Sequence, residues 1–158
     1  MPQTFTADIA AKTRTQMIAL LNQRLAEALD LKLAVKQAHW NVKGPSFIGL
    51  HLLFDEVYDR VNDHGDTIAE RIVQLGGIAL GTTQAVIKGT SLEPYPLKAT
   101  AQDEHVKALG ERLAAFGRNC RKAIDEADDA EDADTADILT QVSRAIDKDH
   151  WFVSSHLG

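Results

Sequence analysis

An unbroken apolar stripe between residues 50 and 75 constrains the fold of this chain more than any other feature. At about 100° per residue, its members fall within about 60° of one another on a helical wheel. They are Leu50, Phe54, Val57, Val61, Ile68, Ile72 and Leu75. Such spacing predicts one long amphipathic helix over residues 46 to 75, with this face packed against other helices.

Three more helices are predicted, over about residues 7 to 42, 102 to 127 and 135 to 156. The breaks between the helices are marked by Pro45, Gly76-Gly77, Pro94-Tyr95-Pro96 and the acidic stretch after Ala127. The sequence therefore predicts an all-α four-helix bundle. The connection over residues 77 to 101 is long enough to cross the bundle and to hold a short helix. With 158 residues, we expect one bundle domain over 15 to 158 after a flexible N-terminal tail over 1 to 14.

Two pairs of potential metal ligands lie on another face of the helix that carries the apolar stripe. His51 with Asp55, and Asp66 with Glu70, are each spaced i, i+4, so the four side chains form one stripe about 100° wide. His51 and Asp66 are nevertheless about 22 Å apart along the helix axis at 1.5 Å per residue. One ion cannot bind both pairs on one helix, because metal–ligand distances are about 2 Å.

An antiparallel copy of the helix resolves this problem. The residue numbers of His51 and Glu70 sum to 121, as do those of Asp55 and Asp66. A two-fold axis through the segment would therefore bring the two pairs together and create two equivalent sites with ligands from both subunits. The alternative interpretation is that both pairs are solvated helix surface or salt bridges.

The bundle interior is not predicted to hold a metal. The apolar stripe contains no ligand, and the Glu-x-x-His motif of diiron bundles is absent from the sequence. Its nearest approach is Asp147 with His150, which we expect to be an exposed helical pair.

Acidic residues are concentrated in one stretch. The net charge is −6, and residues 125 to 137 hold eight of the 23 acidic residues and no base. The ordinary interpretation is a solvated turn that places Asp134 or Thr135 at a helix N-terminus. If several subunits bring the stretch together around a symmetry axis, it would instead form a pore that attracts cations. The candidate pore residues are Asp128, Asp132, Asp134 and Asp137.

Other features exclude several classes of protein. No apolar run reaches the roughly 18 residues of a membrane span, and the N-terminus lacks the regions of a signal peptide. We therefore expect a soluble, cytoplasmic protein. Cys120 is the only cysteine, which excludes an internal disulfide and a thiolate zinc cluster.

Several short strings occur together with the spaced ligands. They are His39-Trp40-Asn41, Gln74-Leu75-Gly76-Gly77, Tyr95-Pro96-Leu97 and Asp134-Thr135-Ala136-Asp137. Over roughly residues 15 to 155, this set resembles the Dps family, the miniferritins named as DNA-binding proteins from starved cells. The resemblance implies a ferritin-like fold with a ferroxidase centre at a two-fold interface. It assigns His39, His51 and Asp55 to one subunit's half of that centre, and Asp66 and Glu70 to its partner's half.

The resemblance also implies a function and an assembly. The family forms hollow dodecamers that oxidise Fe(II), preferentially with hydrogen peroxide, and store ferric mineral, which protects against oxidative damage. Trp40 corresponds to a tryptophan near the iron site.

The residue types of the centre suit iron. Carboxylates and imidazoles are suitable ligands for both iron oxidation states. Imidazole binds only when it is neutral, so occupancy of the site should fall below about pH 6.

DNA binding is a separate question. Family members that bind DNA often use a lysine-rich tail, but the first fifteen residues offer only Lys12 and Arg14 against Asp8. The net charge of −6 per subunit also repels DNA. We expect weak DNA binding at most, with association with the nucleoid left open. The alternatives to an iron-oxidising miniferritin are a nucleoid protein that acts mainly by non-specific DNA binding, and a purely structural oligomer.

Overall fold

The computed structural model describes residues 7–158, and within that range it contains five helices and no strand. The helices are α1 (Ala11–Asn41), α2 (Phe47–Gln74), α3 (Thr83–Gly89), α4 (Gln102–Asp129) and α5 (Ala133–Ser154). The four long helices form the predicted bundle, in which α1 pairs with α2 and α4 pairs with α5. The short α3 lies in the connection and packs on α1. The all-α prediction and the short helix in the connection are thus confirmed.

The stripe predicted from the sequence forms part of the bundle core. All seven of its side chains have 0% exposure. They belong to one apolar cluster with residues of the other long helices, which include Leu21, Leu31, Leu109, Phe116 and Leu139. Burying one large apolar side chain contributes about 1.5–3 kcal/mol, so this stripe determines which face of α2 points outward. None of the helices in residues 7–158 combines the length and apolar character needed to cross a membrane.

The long connection between α2 and α4 is held against the bundle by a buried carboxylate. Glu27 of α1 has 0% exposure and accepts hydrogen bonds from Arg24 at 2.8 and 3.0 Å. It also accepts hydrogen bonds from Ser91 Oγ at 2.6 Å and from Asn119 Nδ2 at 3.0 Å. A buried charge is tolerated when it is paired and hydrogen-bonded in this way. Glu27 thereby ties the connection to both α1 and α4.

The N-terminal boundary differs from the predicted one. Residues 1–6 lie outside the described part of the chain, and α1 begins at Ala11 rather than near residue 7. Ala7 N donates to Gln74 O at 3.0 Å, and Arg14 Nε donates to Ile9 O at 3.1 Å. The expected tail over residues 1 to 14 therefore overlaps the first turn of α1. The segment before this helix is held on the bundle by the hydrogen bond of Ala7 and by packing of Ala7 and Ile9 against the core.

Candidate metal centre

Two histidines face each other across the turn between α1 and α2. His39 lies in the last turn of α1, and His51 lies in the second turn of α2. Their rings stack with centroids 3.8 Å apart and an interplanar angle of 16°. His39 Nδ1 lies 2.7 Å from His51 O, and His51 Nδ1 lies 2.8 Å from His39 O. Each ring is therefore oriented by the backbone carbonyl of the other histidine.

These reciprocal contacts fix the tautomer of both rings. A carbonyl oxygen only accepts hydrogen bonds, so the Nδ1 atom of each ring carries the proton and donates. In a neutral imidazole the lone pair then lies on Nε2, which is left free to bind a metal ion. Orientation of a ligating histidine by a hydrogen bond from its other nitrogen is the usual arrangement in metal sites. His39 and His51 thus present two oriented Nε2 atoms that are able to bind a metal ion.

Asp55 lies one turn after His51, and Lys36 neutralises it. His39 Nε2 lies 3.9 Å from Asp55 Oδ1, while the Lys36 ammonium donates a short hydrogen bond to the same oxygen. The ammonium also lies 4.6 Å from the centroid of the Tyr58 ring. The hydrogen bond from Lys36 lowers the pKa of Asp55 below its usual value, so the carboxylate stays ionised. A metal ion that binds Asp55 must compete with Lys36.

The second ligand pair stays apart from the first within one subunit. Asp66 and Glu70 are exposed on the outer face of α2. Asp66 is about 16 Å from Asp55 along the axis at 1.5 Å per residue. Within residues 7–158, no three His, Cys, Asp or Glu side chains of one subunit are arranged to hold a metal ion. Within one subunit, the two predicted ligand groups are therefore separate: His39, His51 and Asp55 are partly exposed, and Asp66 and Glu70 are exposed further along α2.

Apolar side chains border this ligand face. Trp40 is 69% exposed, Phe47 43% and Ile48 62%, and the Phe47 ring centroid lies 5.2 Å from that of His51. Further along α2, Val73 is 56% exposed. Exposed apolar residues grouped on one face are typical of a protein interface. Trp40 follows His39 directly in the chain, as the resemblance to the Dps family requires.

The bundle interior holds buried carboxylates, but each has an arginine partner. Glu27 binds Arg24, and Asp149 of α5 accepts hydrogen bonds from Arg60 Nε at 2.8 Å. Asp149 has 0% exposure, and burial raises its pKa. Neighbouring Asp147 is exposed as predicted, but it pairs with Arg121 at 2.9 Å and not with His150, which is only partly exposed. The interior of the described bundle thus offers charge-compensated pairs rather than a cluster of metal ligands.

One of the four candidate pore residues has another role. Asp132 is 2% exposed, and its side chain accepts hydrogen bonds from Thr135 N at 3.0 Å and from Thr135 Oγ1 at 2.6 Å. It also forms an ion pair with Arg71 of α2 at 2.8 Å. Asp132 is therefore the N-cap of α5 and a buried ion-pair partner, and the prediction that it lines a pore is wrong. The expected cap, Asp134 or Thr135, lies two or three residues too late.

The remaining candidate pore residues are on the surface. They are Asp128, Asp134 and Asp137, which we call the turn acids. All three are exposed around the junction of α4 and α5. Their side chains are free to meet solvent cations.

Two features of the site were missed in the sequence. Lys36 lies three residues before His39 on the same helix, and this spacing could have indicated that it reaches the ligand face. Gln102 contacts the turn between the two histidines from the start of α4. No local pattern indicates that contact, because the two segments are brought together only by the fold.

Comparison with known proteins identifies the family of this chain. The family profile of the ferritin-like domain matches residues 18–158. The chain is 47% identical over 150 residues to the DNA protection during starvation protein of Agrobacterium fabrum, covering 95% of this chain and 93% of the relative. It is 33% identical over 149 residues to the protein of the same name from Mycolicibacterium smegmatis, covering 94% of this chain and 81% of the relative.

Solved structures give the same result. The tetragonal form of Mycobacterium smegmatis Dps matches with a TM-score of 0.91 and 32% identity, covering 96% of this chain and 92% of that chain. Dps from Microbacterium arborescens in the high iron form matches with a TM-score of 0.85 and 32% identity, covering 96% of each chain. The family profile, the similarity over most of the chain and the fold agree, and the chain therefore belongs to the ferritin-like family and, within it, to the Dps miniferritins.

Proposed function

We propose that this protein oxidises Fe(II) at a centre shared between two subunits and stores the ferric product. One subunit supplies His39, His51 and Asp55, and the partner subunit supplies Asp66 and Glu70. The observation that carries the proposal is the pair of stacked histidines, whose reciprocal hydrogen bonds leave both Nε2 atoms free, with that of His39 3.9 Å from Asp55 Oδ1. An iron site with two nitrogen ligands needs further oxygen ligands. Asp66 and Glu70 of the same subunit are too far away along α2, so we assign these ligands to the partner subunit.

The exposed face of α2 supports a two-fold interface. An antiparallel copy that aligns His51 with Glu70 also aligns Ile48 with Val73, since these numbers again sum to 121. Both side chains are more than half exposed, at 62% and 56%. Pairing them would bury apolar surface on each side of the shared ligands, and a two-fold interface repeats each contact. Trp40 would lie beside the centre, where it helps to shield the ligands from water.

The ligand set suits oxidation of iron by hydrogen peroxide. Three carboxylates and two imidazoles bind both iron oxidation states, and the negative charge favours the ferric product. A hydrogen peroxide molecule accepts one electron from each of two Fe(II) ions, takes up two protons and leaves as two waters. The reaction therefore consumes both Fe(II) and hydrogen peroxide, which together generate hydroxyl radicals.

Assembly and location complete the proposal. We infer a hollow dodecamer in the cytoplasm, with the turn acids around a pore through which iron enters. Negative charge at a narrow opening concentrates cations there. The relatives support this proposal, since one is named for DNA protection during starvation and another was solved in a high iron form.

An iron-oxidation assay without oxygen tests the proposal. Purified protein is given Fe(II) and hydrogen peroxide, and the ferric absorbance is followed. We expect two Fe(II) ions oxidised per peroxide, and a rate at least about tenfold lower in His51→Ala because a ligand is lost. His156→Ala is the matched control, since His156 is exposed and its ring hydrogen-bonds only to carbonyls at the end of α5. Equal rates in His51→Ala and the wild type would contradict the proposed site.

A further inference from the structure

We propose that Gln102 is a positioning residue for the metal centre, because it fixes the turn that sets His39 against His51. The inference rests on the proposed function and concerns a residue that touches none of the five ligands. Gln102 is the first residue of α4, and the turn covers residues 42 to 46. The turn joins the two helix ends that carry the histidines.

The histidine pair depends on the geometry of this turn. Each ring is held by the backbone carbonyl of the other residue, at 2.7 and 2.8 Å. A shift of the first turns of α2 relative to the end of α1 would lengthen both hydrogen bonds at once. Both Nε2 atoms would then lose their fixed direction. Metal binding should therefore respond to small changes in the turn.

The turn lacks the usual means of fixing a helix start. Ser46, the N-cap of α2, makes no side-chain cap hydrogen bond, and the first turn of α2 has no acidic residue. The free N–H groups of a helix start are normally satisfied by such a cap. Here Ser46 N donates to Gln102 Oε1 at 2.8 Å. The side chain of Gln102 thus satisfies the N–H of the N-cap residue, as the third helical residue does in a capping box, but it comes from a different helix.

Backbone contacts hold the same two segments together. Lys43 N donates to Thr100 O, and Gln102 N donates to Lys43 O, both at 2.8 Å. These hydrogen bonds form an isolated parallel bridge between Lys43 and Ala101. Gln102 therefore contacts the turn at two points, one through its backbone and one through its amide side chain.

Gly44 makes room for this side chain. Its φ angle is +148°, and a Cβ atom added there would lie 2.7 Å from Gln102 Oε1 and 2.9 Å from Gln102 Cγ. Only glycine accepts both this backbone conformation and this close approach without strain. The present position of the Gln102 side chain therefore depends on glycine at residue 44.

Gln102 is itself held firmly at the start of α4. Glu104 Oε2 accepts hydrogen bonds from Thr100 N at 3.1 Å and from Ala101 N at 3.0 Å. These bonds lower the pKa of Glu104, which keeps the cap ionised. One turn further, His105 Nδ1 lies 2.6 Å from Tyr95 Oη and ties α4 to the connection. Because the start of α4 is held in place, Gln102 can hold the turn between α1 and α2 in a fixed position.

The test measures Co(II) affinity, using a metal that binds without the iron chemistry. Gln102→Met keeps the length of the side chain and removes the acceptor oxygen. We expect Co(II) affinity to fall about tenfold, which is typical when a residue that supports the metal ligands is replaced. Gln102→Glu keeps an acceptor oxygen and should restore most of the affinity. Gly44→Ala displaces the amide of Gln102 and also strains the turn at φ +148°, so it should weaken Co(II) binding at least as much. Gln102→Leu, which also lacks the acceptor, is the second variant if Gln102→Met folds poorly.

A matched control separates positioning from stability. Thr82→Ala removes one N-cap hydrogen bond, from Ala85 N to Thr82 Oγ1 at 3.3 Å, at the start of α3. We expect it to lower the thermal midpoint about as much as Gln102→Met and to leave Co(II) affinity unchanged. Unchanged affinity in Gln102→Met would overturn the inference and leave the proposed function standing. Equal Co(II) binding by the wild type and His51→Ala would instead overturn the proposed function and this inference with it.

Discussion

Replacing Asp132 by alanine should destabilise the subunit strongly, although the residue lies in an acidic surface stretch. The change removes the ion pair with Arg71 at 2.8 Å and the hydrogen bonds from Thr135 N and Oγ1 at 3.0 and 2.6 Å. Loss of an N-cap alone costs about 0.5–2 kcal/mol. Removing one member of a buried ion pair costs about 3–5 kcal/mol, because the other charge stays buried without a partner. These terms overlap, so we expect a decrease of about 3–5 kcal/mol in the free energy of unfolding.

Urea unfolding at one fixed protein concentration measures this change, since subunit association also contributes to stability. Asp134→Ala is the matched control, because Asp134 is exposed in the first turn of α5 and should lose less than about 1 kcal/mol. The double variant Arg71→Met with Asp132→Ala should recover part of the loss, since it leaves no unpaired charge. If Asp132→Ala and Asp134→Ala are equally stable, the buried pair is refuted and Asp132 returns to the candidate pore residues.

Three further predictions concern metal, iron entrance and DNA. Lys36→Met should tighten Co(II) binding several-fold in a calorimetric titration, because no ammonium then competes for Asp55. The control Lys32→Met, one turn earlier, should leave Co(II) affinity unchanged. Equal effects of the two changes would contradict the competition between Lys36 and the metal. Changing the turn acids to asparagine should slow iron uptake at low salt and leave assembly intact, as seen by stopped flow and gel filtration; unchanged uptake would point to another entrance. No stable complex with duplex DNA is expected in a gel shift at about 0.15 M salt, because residues 1 to 6 contain no Lys or Arg and the segment before α1 is held on the bundle. A tight complex that is lost on deleting residues 1 to 6 would contradict this prediction.

The fold was predictable because α2 has a strict helical period. The stripe from Leu50 to Leu75 fixes the buried face, and the ligand pairs on another face follow from the same period. His39 is different, since it lies on another helix beyond the turn. Only the resemblance to a known family assigned it, because helical periodicity does not extend across a turn.

Other features depend on contacts between segments that are distant in the chain. Asp132 is surrounded by acids in the sequence, and its burial becomes clear only when α2 brings Arg71 beside it. The hydrogen bond that Gln102 accepts from Ser46 N likewise joins residues 56 positions apart. Local charge and propensity cannot reveal such pairs, because tertiary packing selects one acid or one amide among several similar ones.

The shared centre can be tested directly by mixing two inactive proteins. One carries His51→Ala with Asp55→Ala, and the other carries Asp66→Ala with Glu70→Ala. In a mixed dimer one of the two sites keeps all its ligands, so random subunit exchange should restore about one quarter of the wild-type sites. The measurement is the rate of Fe(II) oxidation by hydrogen peroxide after exchange has been verified by mass spectrometry. We predict recovery toward one quarter of the wild-type rate, whereas no recovery, or full activity of either protein alone, would contradict a centre shared between subunits.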